Sequence, residues 1–94
     1  MRPVWLKESE EDIRRLFEFL FEKSPNAAAR AIESILEKSE MLSDFPDIGH
    51  LMKDNSGRRE LFIPFAAGAY VLRYYVLNDY VVIVRIWHSR ESRY

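Results

Sequence analysis

The chain has 94 residues, of which 48% are apolar and 14% aromatic, and its formal net charge at pH 7 is −1. This length predicts one hydrophobic core and a single domain over residues 1–94. The absence of cysteine excludes disulfides, thiolate nucleophiles and cysteine-ligated zinc. No apolar stretch reaches the roughly 18 residues that a membrane helix needs, and the first residues lack the apolar core of a secretory signal. We therefore expect a cytoplasmic protein without membrane contact.

The charges are distributed unevenly along the chain. Residues 1–56 carry 8 Lys+Arg and 12 Asp+Glu, whereas residues 57–94 carry 6 and 3, which gives −4 and +3. All cations of the second part are arginines: Arg58, Arg59, Arg73, Arg85, Arg90 and Arg93. Arginine presents a planar fork that suits phosphate or carboxylate, whereas lysine transfers protons more readily. The second part is therefore predicted to recognise a macromolecular target.

A short strand and an amphipathic helix are predicted at the start of the chain. Residues 2–6 are mostly apolar and favour a strand. Ser9, followed three residues later by Asp12, resembles a capping box at the start of a helix. Apolar residues then recur on one helical face: Ile13, Leu16, Phe17, Leu20 and Phe21. Phe19 lies off that face.

A second helix and three strands are predicted to follow. Ser24-Pro25 is typical of a helix start, and the breakers after Asp44 end that helix. The strands are predicted over residues 60–65, 69–77 and 80–87. The order β-α-α-β-β-β, with the helices grouped early, predicts an α+β fold in which a helical hairpin packs on one face of a small antiparallel sheet.

The register of the last hairpin decides which charged side chains share a face. A two-residue loop at Asn78-Asp79 places Arg73 and His88 on one face and Arg85 on the other. A three-residue loop places Arg73 opposite Arg85 on one face. Both registers are open at this point.

Each candidate functional residue has a structural alternative. Arg73 and Arg85 interrupt otherwise apolar strands, so each either contacts a target or forms an ion pair, for example with a helix carboxylate. His88 is a candidate acid or base near neutral pH, or a hydrogen-bonded structural residue. Tyr94 is a candidate for stacking on a base. There is no phosphate-binding glycine loop, nucleophile elbow or metal-ligand cluster, so we expect no metal and no cofactor.

The last two predicted strands resemble the ending of RelE/ParE-family toxins. The first reads Tyr70-Val71-Leu72-Arg73-Tyr74-Tyr75-Val76, and the second ends Arg85-Ile86-Trp87-His88-Ser89-Arg90-Glu91. In that family, a strand with an Arg-Tyr pair precedes a strand that ends Arg-x-x-His-x-Arg. Phe45-Pro46 after the second helix and Arg58-Arg59-Glu60-Leu61 before the next strand also agree with the family pattern. The resemblance therefore covers essentially the whole chain.

The resemblance implies a toxin that forms a hetero-oligomeric complex with a cognate antitoxin. ParE-like members bind DNA gyrase and block replication, and the Arg-x-x-His-x-Arg ending is closer to these. On this hypothesis the residues that contact the target are Arg58, Arg59, Arg73, Arg85, His88, Arg90 and Arg93. The antitoxin is expected to cover apolar surface around the helical hairpin and the sheet edge, with Phe19 as one candidate contact.

Two other functions are compatible with the resemblance. RelE-like members cut messenger RNA on the ribosome, and on that hypothesis Arg73 and Arg85 hold the scissile phosphate while His88 or Tyr94 assists proton transfer. The absence of lysine after Lys53 departs from the RelE pattern. The third function is that of an inactive member that binds an antitoxin and DNA in autoregulation.

Overall fold

The computed structural model describes residues 2–91, and its two helices pack on one face of a five-stranded sheet. The elements are β1 (Pro3–Trp5), α1 (Lys7–Lys23), α2 (Pro25–Asp44), β2 (His50–Leu51), β3 (Arg59–Phe65), β4 (Gly68–Leu77) and β5 (Tyr80–His88). The predicted α+β fold class is confirmed. Neither helix within residues 2–91 is long and apolar enough to cross a membrane.

The sheet differs from the prediction in two details. Its strand order is β1-β5-β4-β3-β2, in which the two-residue strand β2 was not predicted. The other difference is that β1 runs parallel to β5, with Pro3 opposite Val81 and Trp5 opposite Ile83, so the sheet is mixed. The remaining pairs are antiparallel. Because β1 joins the last strand of the chain, it places the start of α1 directly beside β5.

The core lies between the helices and the sheet, and Tyr74 fixes one of its borders. Its side chain is fully buried, and its hydroxyl donates to Pro46 O at 2.7 Å and accepts from Gly49 N at 2.9 Å. These bonds anchor the segment that follows α2. A Cβ atom at Gly49 would lie 2.7 Å from the Tyr74 hydroxyl oxygen, so this close approach requires glycine.

One of the two predicted helix starts is wrong. Helix α2 begins as predicted, with Ser24 Oγ accepting from Ala27 N at 3.1 Å. In contrast, α1 begins at Lys7 with no side-chain cap, because Leu6 N still pairs with Ile83 O and the helix follows the strand without a loop. Ser9 Oγ donates to Leu6 O within the first turn. Asp12 therefore does not cap α1. Its carboxylate instead accepts hydrogen bonds from Arg85 and Ile86 of β5.

A β-bulge changes the faces of the last hairpin. The predicted two-residue loop at Asn78-Asp79 is present, and Leu77 lies opposite Tyr80. The register then shifts by one residue, because Ile83 pairs with Tyr74 but Arg85 pairs with Arg73. A bulge inserts one extra residue into one strand, here Val84, and re-aims the side chains that follow.

Beyond the bulge the strands pair as in the alternative register, with Arg73 opposite Arg85, although the loop has two residues. The His88 ring packs edge-on against the core residue Tyr70, with ring centroids 5.0 Å apart, and therefore lies on the helix side of the sheet. Arg73 lies between the core residues Leu72 and Tyr74 on the strand, so it projects from the opposite face. Arg73 and His88 thus lie on different faces, although the two-residue loop predicted that they share one.

Candidate functional site

The Arg85 guanidinium is bound by a buried carboxylate on α1. Asp12 is 2% exposed, and it accepts from Arg85 Nε at 2.7 Å and from Arg85 Nη2 at 3.0 Å. It also accepts from the backbone N–H of Ile86 at 3.0 Å. Because β1 pairs with β5 only as far as Ile83, the later edge of β5 lacks a strand partner, and Asp12 supplies an acceptor there. The ion pair with a helix carboxylate, one of the two environments considered for Arg85, is therefore present.

Arg15 extends this ion pair to the end of the described chain. It donates from Nη1 to Asp12 Oδ1 at 2.6 Å, and from Nε and Nη2 to the two carboxylate oxygens of Glu91 at 2.9 and 3.1 Å. Glu91 Oε1 also accepts from His88 N at 3.2 Å. Asp12, Arg15, Arg85 and Glu91, which we call the Asp12 cluster, contain two cations and two anions. Their formal charges cancel.

The cluster lowers the pKa of both carboxyl groups. Burial acts to raise the pKa of Asp12, but hydrogen bonds from Arg85, the Ile86 N–H and Arg15 outweigh it. Burial likewise acts to raise the pKa of Glu91, and the bonds from Arg15 and His88 N outweigh it. The hydrogen bond to Glu91 is the main cause that raises the pKa of Arg15. Both carboxyl groups therefore stay ionised at neutral pH.

Both ring nitrogens of His88 have hydrogen-bond partners. Nε2 lies 3.2 Å from Phe65 O, which accepts only, so Nε2 carries the proton. Nδ1 accepts from Arg90 N at 3.2 Å. These two partners fit the tautomer with its proton on Nε2. The hydrogen-bonded structural environment considered for His88 is therefore present.

Arg73 and Arg59 are also held by groups of the fold. Arg73 donates from Nε and Nη2 to Glu60 Oε2, at 3.0 and 2.7 Å, and its guanidinium lies 5.0 Å from the centre of the Trp87 ring. Arg59 donates from Nη1 to Gly49 O at 2.8 Å and to the backbone oxygen of Asp47 at 3.2 Å. Both arginines thus stabilise the sheet and the loop before it.

Two arginines of the C-terminal part keep free guanidinium groups. Arg58 and Arg90 form no direct ion pair with any carboxylate of residues 2–91. Arg58 precedes β3, whereas Arg90 follows β5 next to the turn that ends β3, so the two lie at opposite ends of β3. The remaining candidates, Arg93 and Tyr94, lie outside the described residues.

The proposed catalytic residues within residues 2–91 do not meet at one point. Arg73 and Arg85 lie opposite each other on β4 and β5, but the Arg73 guanidinium binds Glu60 whereas that of Arg85 binds α1. His88 lies on the helix side of the sheet. Sequence reasoning missed Asp12, read as a helix cap, and Glu91 as its neighbour in the cluster. Arg85 in an apolar strand was the signal that a carboxylate partner exists, but it did not identify which one.

A groove lies beside α1, next to these residues. Its volume is about 560 Å³, and we call it the α1 groove. Its apolar walls are formed by Leu16, Phe19, Leu20, Phe65, Ala66 and Tyr70. Its polar lining residues, Arg15, His88, Arg90 and Glu91, are joined by the hydrogen bonds described above and therefore form one continuous side.

Comparisons with known proteins agree with the resemblance. Three toxins of Caulobacter vibrioides are similar to this chain. RelE3 is 44% identical over 82 residues, which is 87% of each chain, and RelE1 is 38% identical over 87% of this chain and 86% of its own. RelE2 is 31% identical over 92% of both chains. A solved chain of the chromosomal ParDE TA system from P. aeruginosa has the same fold, with a TM-score of 0.76 and 19% identity over 94% of this chain and 95% of that chain.

The family is shown by a family model as well as by these relatives. The model for the ParE toxin of the type II toxin-antitoxin system parDE matches residues 4–93, which is nearly the full length. A toxin of this kind has a partner antitoxin. The chain belongs to the ParE toxin family of type II toxin-antitoxin systems, within the RelE/ParE superfamily.

Proposed function

We propose that this toxin binds DNA gyrase and blocks replication, and that it catalyses no reaction itself. One observation carries the proposal, namely that the groups a ribonuclease would need around one phosphate are already bound to other groups of the fold. Arg73 and Arg85 lie opposite each other on β4 and β5, but their guanidinium groups bind different carboxylates. Both ring nitrogens of His88 also have partners in the fold. Phosphate cleavage requires such groups to act on one phosphate. Their engagement within the fold supports binding as the mode of action.

Arg90 is the central residue of the proposed target contact. It is exposed and its guanidinium forms no ion pair within residues 2–91, so no bond to those residues is lost when it contacts a target. Arg58 provides a second free guanidinium at the far end of β3. Arg59, Arg73, Arg85 and His88 contribute by holding the shape of this surface. Arg93, which lies outside the described residues, stays a candidate contact by its charge.

The antitoxin is proposed to cover the exposed apolar side chains of the helical hairpin. Phe19 is 63% exposed, and Phe21 and Leu36 are about half exposed. Large apolar side chains that are exposed to solvent are available to a protein partner. Phe19, which lies off the main apolar face of α1, thus keeps the role expected from the sequence.

Expression without antitoxin separates the candidate functions. If DNA synthesis stops first in pulse-labelled cells, and the purified protein inhibits supercoiling by purified gyrase, the proposal stands. If protein synthesis stops first and transcripts are cleaved, a ribonuclease replaces it. That alternative has its own support, because the relatives in Caulobacter vibrioides are named RelE. No arrest of growth would indicate the inactive member that binds only its antitoxin and DNA.

A further inference from the structure

The α1 groove is lined by a tyrosine whose hydroxyl has no hydrogen-bond partner within residues 2–91. Tyr70 is 2% exposed, and its ring packs between Phe65 and His88, with centroid distances of 5.5 and 5.0 Å. Its hydroxyl forms no hydrogen bond within residues 2–91. The one enclosed, unpartnered side-chain oxygen of that part of the chain is Ser43 Oγ, so the Tyr70 hydroxyl is open to solvent, through the groove. A tyrosine hydroxyl that opens to a groove and has no partner in the fold is available to a ligand.

The charge beside the groove is positive. The formal charges of the Asp12 cluster cancel, and both ring nitrogens of His88 have hydrogen-bond partners within the fold. Arg90 therefore supplies the uncompensated charge within the described part of the lining. Burial, and secondarily Glu91, raises the pKa of Tyr70, so its hydroxyl stays protonated and acts as a donor. A donor beside a free cation suits a carboxylate.

We propose that the α1 groove binds a segment of the antitoxin in which apolar side chains fill the groove while an Asp or Glu carboxylate accepts from the Tyr70 hydroxyl and pairs with Arg90. The volume of about 560 Å³ is large enough for several apolar side chains of an amphipathic segment. Tyr70 and Arg90 would thereby recognise an acidic side chain at one position of the antitoxin. This inference rests on the antitoxin partner in the proposed function and is independent of gyrase.

Octanoate and octanol test the chemistry of the groove, because they have the same chain and only one carries a carboxylate. In titrations of the full chain, followed by amide chemical shifts, octanoate is expected to bind more tightly than octanol. Tyr70→Phe and Arg90→Gln should each weaken octanoate about tenfold, as expected for a lost hydrogen bond to a charged group, and leave octanol unchanged. Matched controls are Tyr75→Phe and Arg58→Gln, which lie outside the groove. Equal affinities for the two ligands, or for the wild type and Tyr70→Phe, would overturn the proposal.

Competition with the antitoxin tests the occupant. Octanoate should slow association of the antitoxin encoded with this toxin, and Tyr70→Phe should speed its dissociation about tenfold, whereas Tyr75→Phe should not. Tyr70→Phe keeps the packed ring, so the fold is preserved. If octanoate binds in the groove but antitoxin kinetics are unchanged, the groove has another occupant and the proposal is wrong. If the octanoate titration and the antitoxin competition give the expected results but the toxin does not inhibit gyrase, only the proposed target is refuted.

Discussion

The Asp12 carboxylate and the Arg85 guanidinium meet through two hydrogen bonds, of 2.7 and 3.0 Å, although the residues are 73 positions apart in the sequence. Asp12 belongs to the first helix and Arg85 to the last strand, where the β-bulge begins. The bond to Ile86 N attaches the same carboxylate to the backbone beyond the bulge. The start of the chain thus determines how the C-terminal strand is held.

Removing the Asp12 carboxylate should destabilise the protein strongly. Asp12→Ala leaves the Arg85 guanidinium and the Ile86 N–H without their acceptor, so we expect a loss of about 3 kcal/mol in the free energy of unfolding. Urea unfolding of both proteins measures this difference. Asp44→Ala, at the exposed end of α2, is the matched control and should change stability by about 0.5 kcal/mol or less. A loss at Asp12 as small as that of the control would contradict the assigned role.

The Asp12 cluster should make the protein sensitive to acid. The pKa of Asp12 lies below its ordinary value of 3.8 in the folded chain, and that of Glu91 lies below 4.5. The unfolded chain therefore takes up these protons at higher pH than the folded chain. Stability is then full above about pH 5 and is lost as the pH falls through the folded pKa values.

Urea midpoints between about pH 6 and about pH 3 check this dependence. We expect the wild type to lose more stability over that range than Glu91→Gln, because the variant lacks one of the two titrating groups. Glu37→Gln, on the exposed face of α2, should lose as much as the wild type. Equal acid sensitivity of the wild type and Glu91→Gln would show that Glu91 contributes nothing.

The Arg15–Glu91 pair should contribute a modest amount of stability. Its two hydrogen bonds join α1 to the residues after β5, but the Arg15 side chain is 40% exposed and is screened by solvent. A double-mutant cycle of Arg15→Ala and Glu91→Ala should give a coupling energy of about 0.5–1 kcal/mol. Raising the salt concentration should reduce it. A coupling that is zero at low salt would mean that the pair does not hold this end of the chain.

The Tyr74 hydroxyl should stabilise the protein although it is far from the charged cluster. Tyr74→Phe removes the bonds to Pro46 O and Gly49 N inside the core, and we expect a loss of about 1–2 kcal/mol. Tyr80→Phe removes a hydroxyl from a residue that is 55% exposed, and it should be nearly neutral. Thermal unfolding compares the two variants, and equal melting temperatures would oppose the prediction.

Charge reversal at Arg90 should reduce toxicity without reducing stability. Arg90→Glu places a carboxylate at the centre of the proposed target contact, and its guanidinium carries no ion pair within residues 2–91. Growth after induction and supercoiling by gyrase measure the effect, which we expect to be at least about tenfold in the inhibitory concentration. Arg30→Glu, on the exposed face of α2, is the control. Full inhibition of gyrase by Arg90→Glu would show that another part of the toxin contacts the target.

Local signals in the sequence predicted most of the fold. The Ser24-Pro25 start of α2 and the Asn78-Asp79 turn depend on neighbouring residues alone, and both are present in the structure. Asp12 was misread because its partners are distant in the sequence, and a carboxylate near a helix start suits a cap equally well. The strand around the bulge at Val84 contains no glycine or proline that would have predicted the bulge. Its position depends on contacts with α1, which sequence patterns do not contain.

The parallel pairing of β1 with β5 makes the sheet depend on contact between two distant segments. Pro3 lies opposite Val81, so β1 has no strand partner until β5 is available. Contacts between such distant segments form late, because the long connecting chain must first be ordered. We therefore expect β1 to join the sheet in a late step of folding, after the hairpin of β4 and β5 has formed.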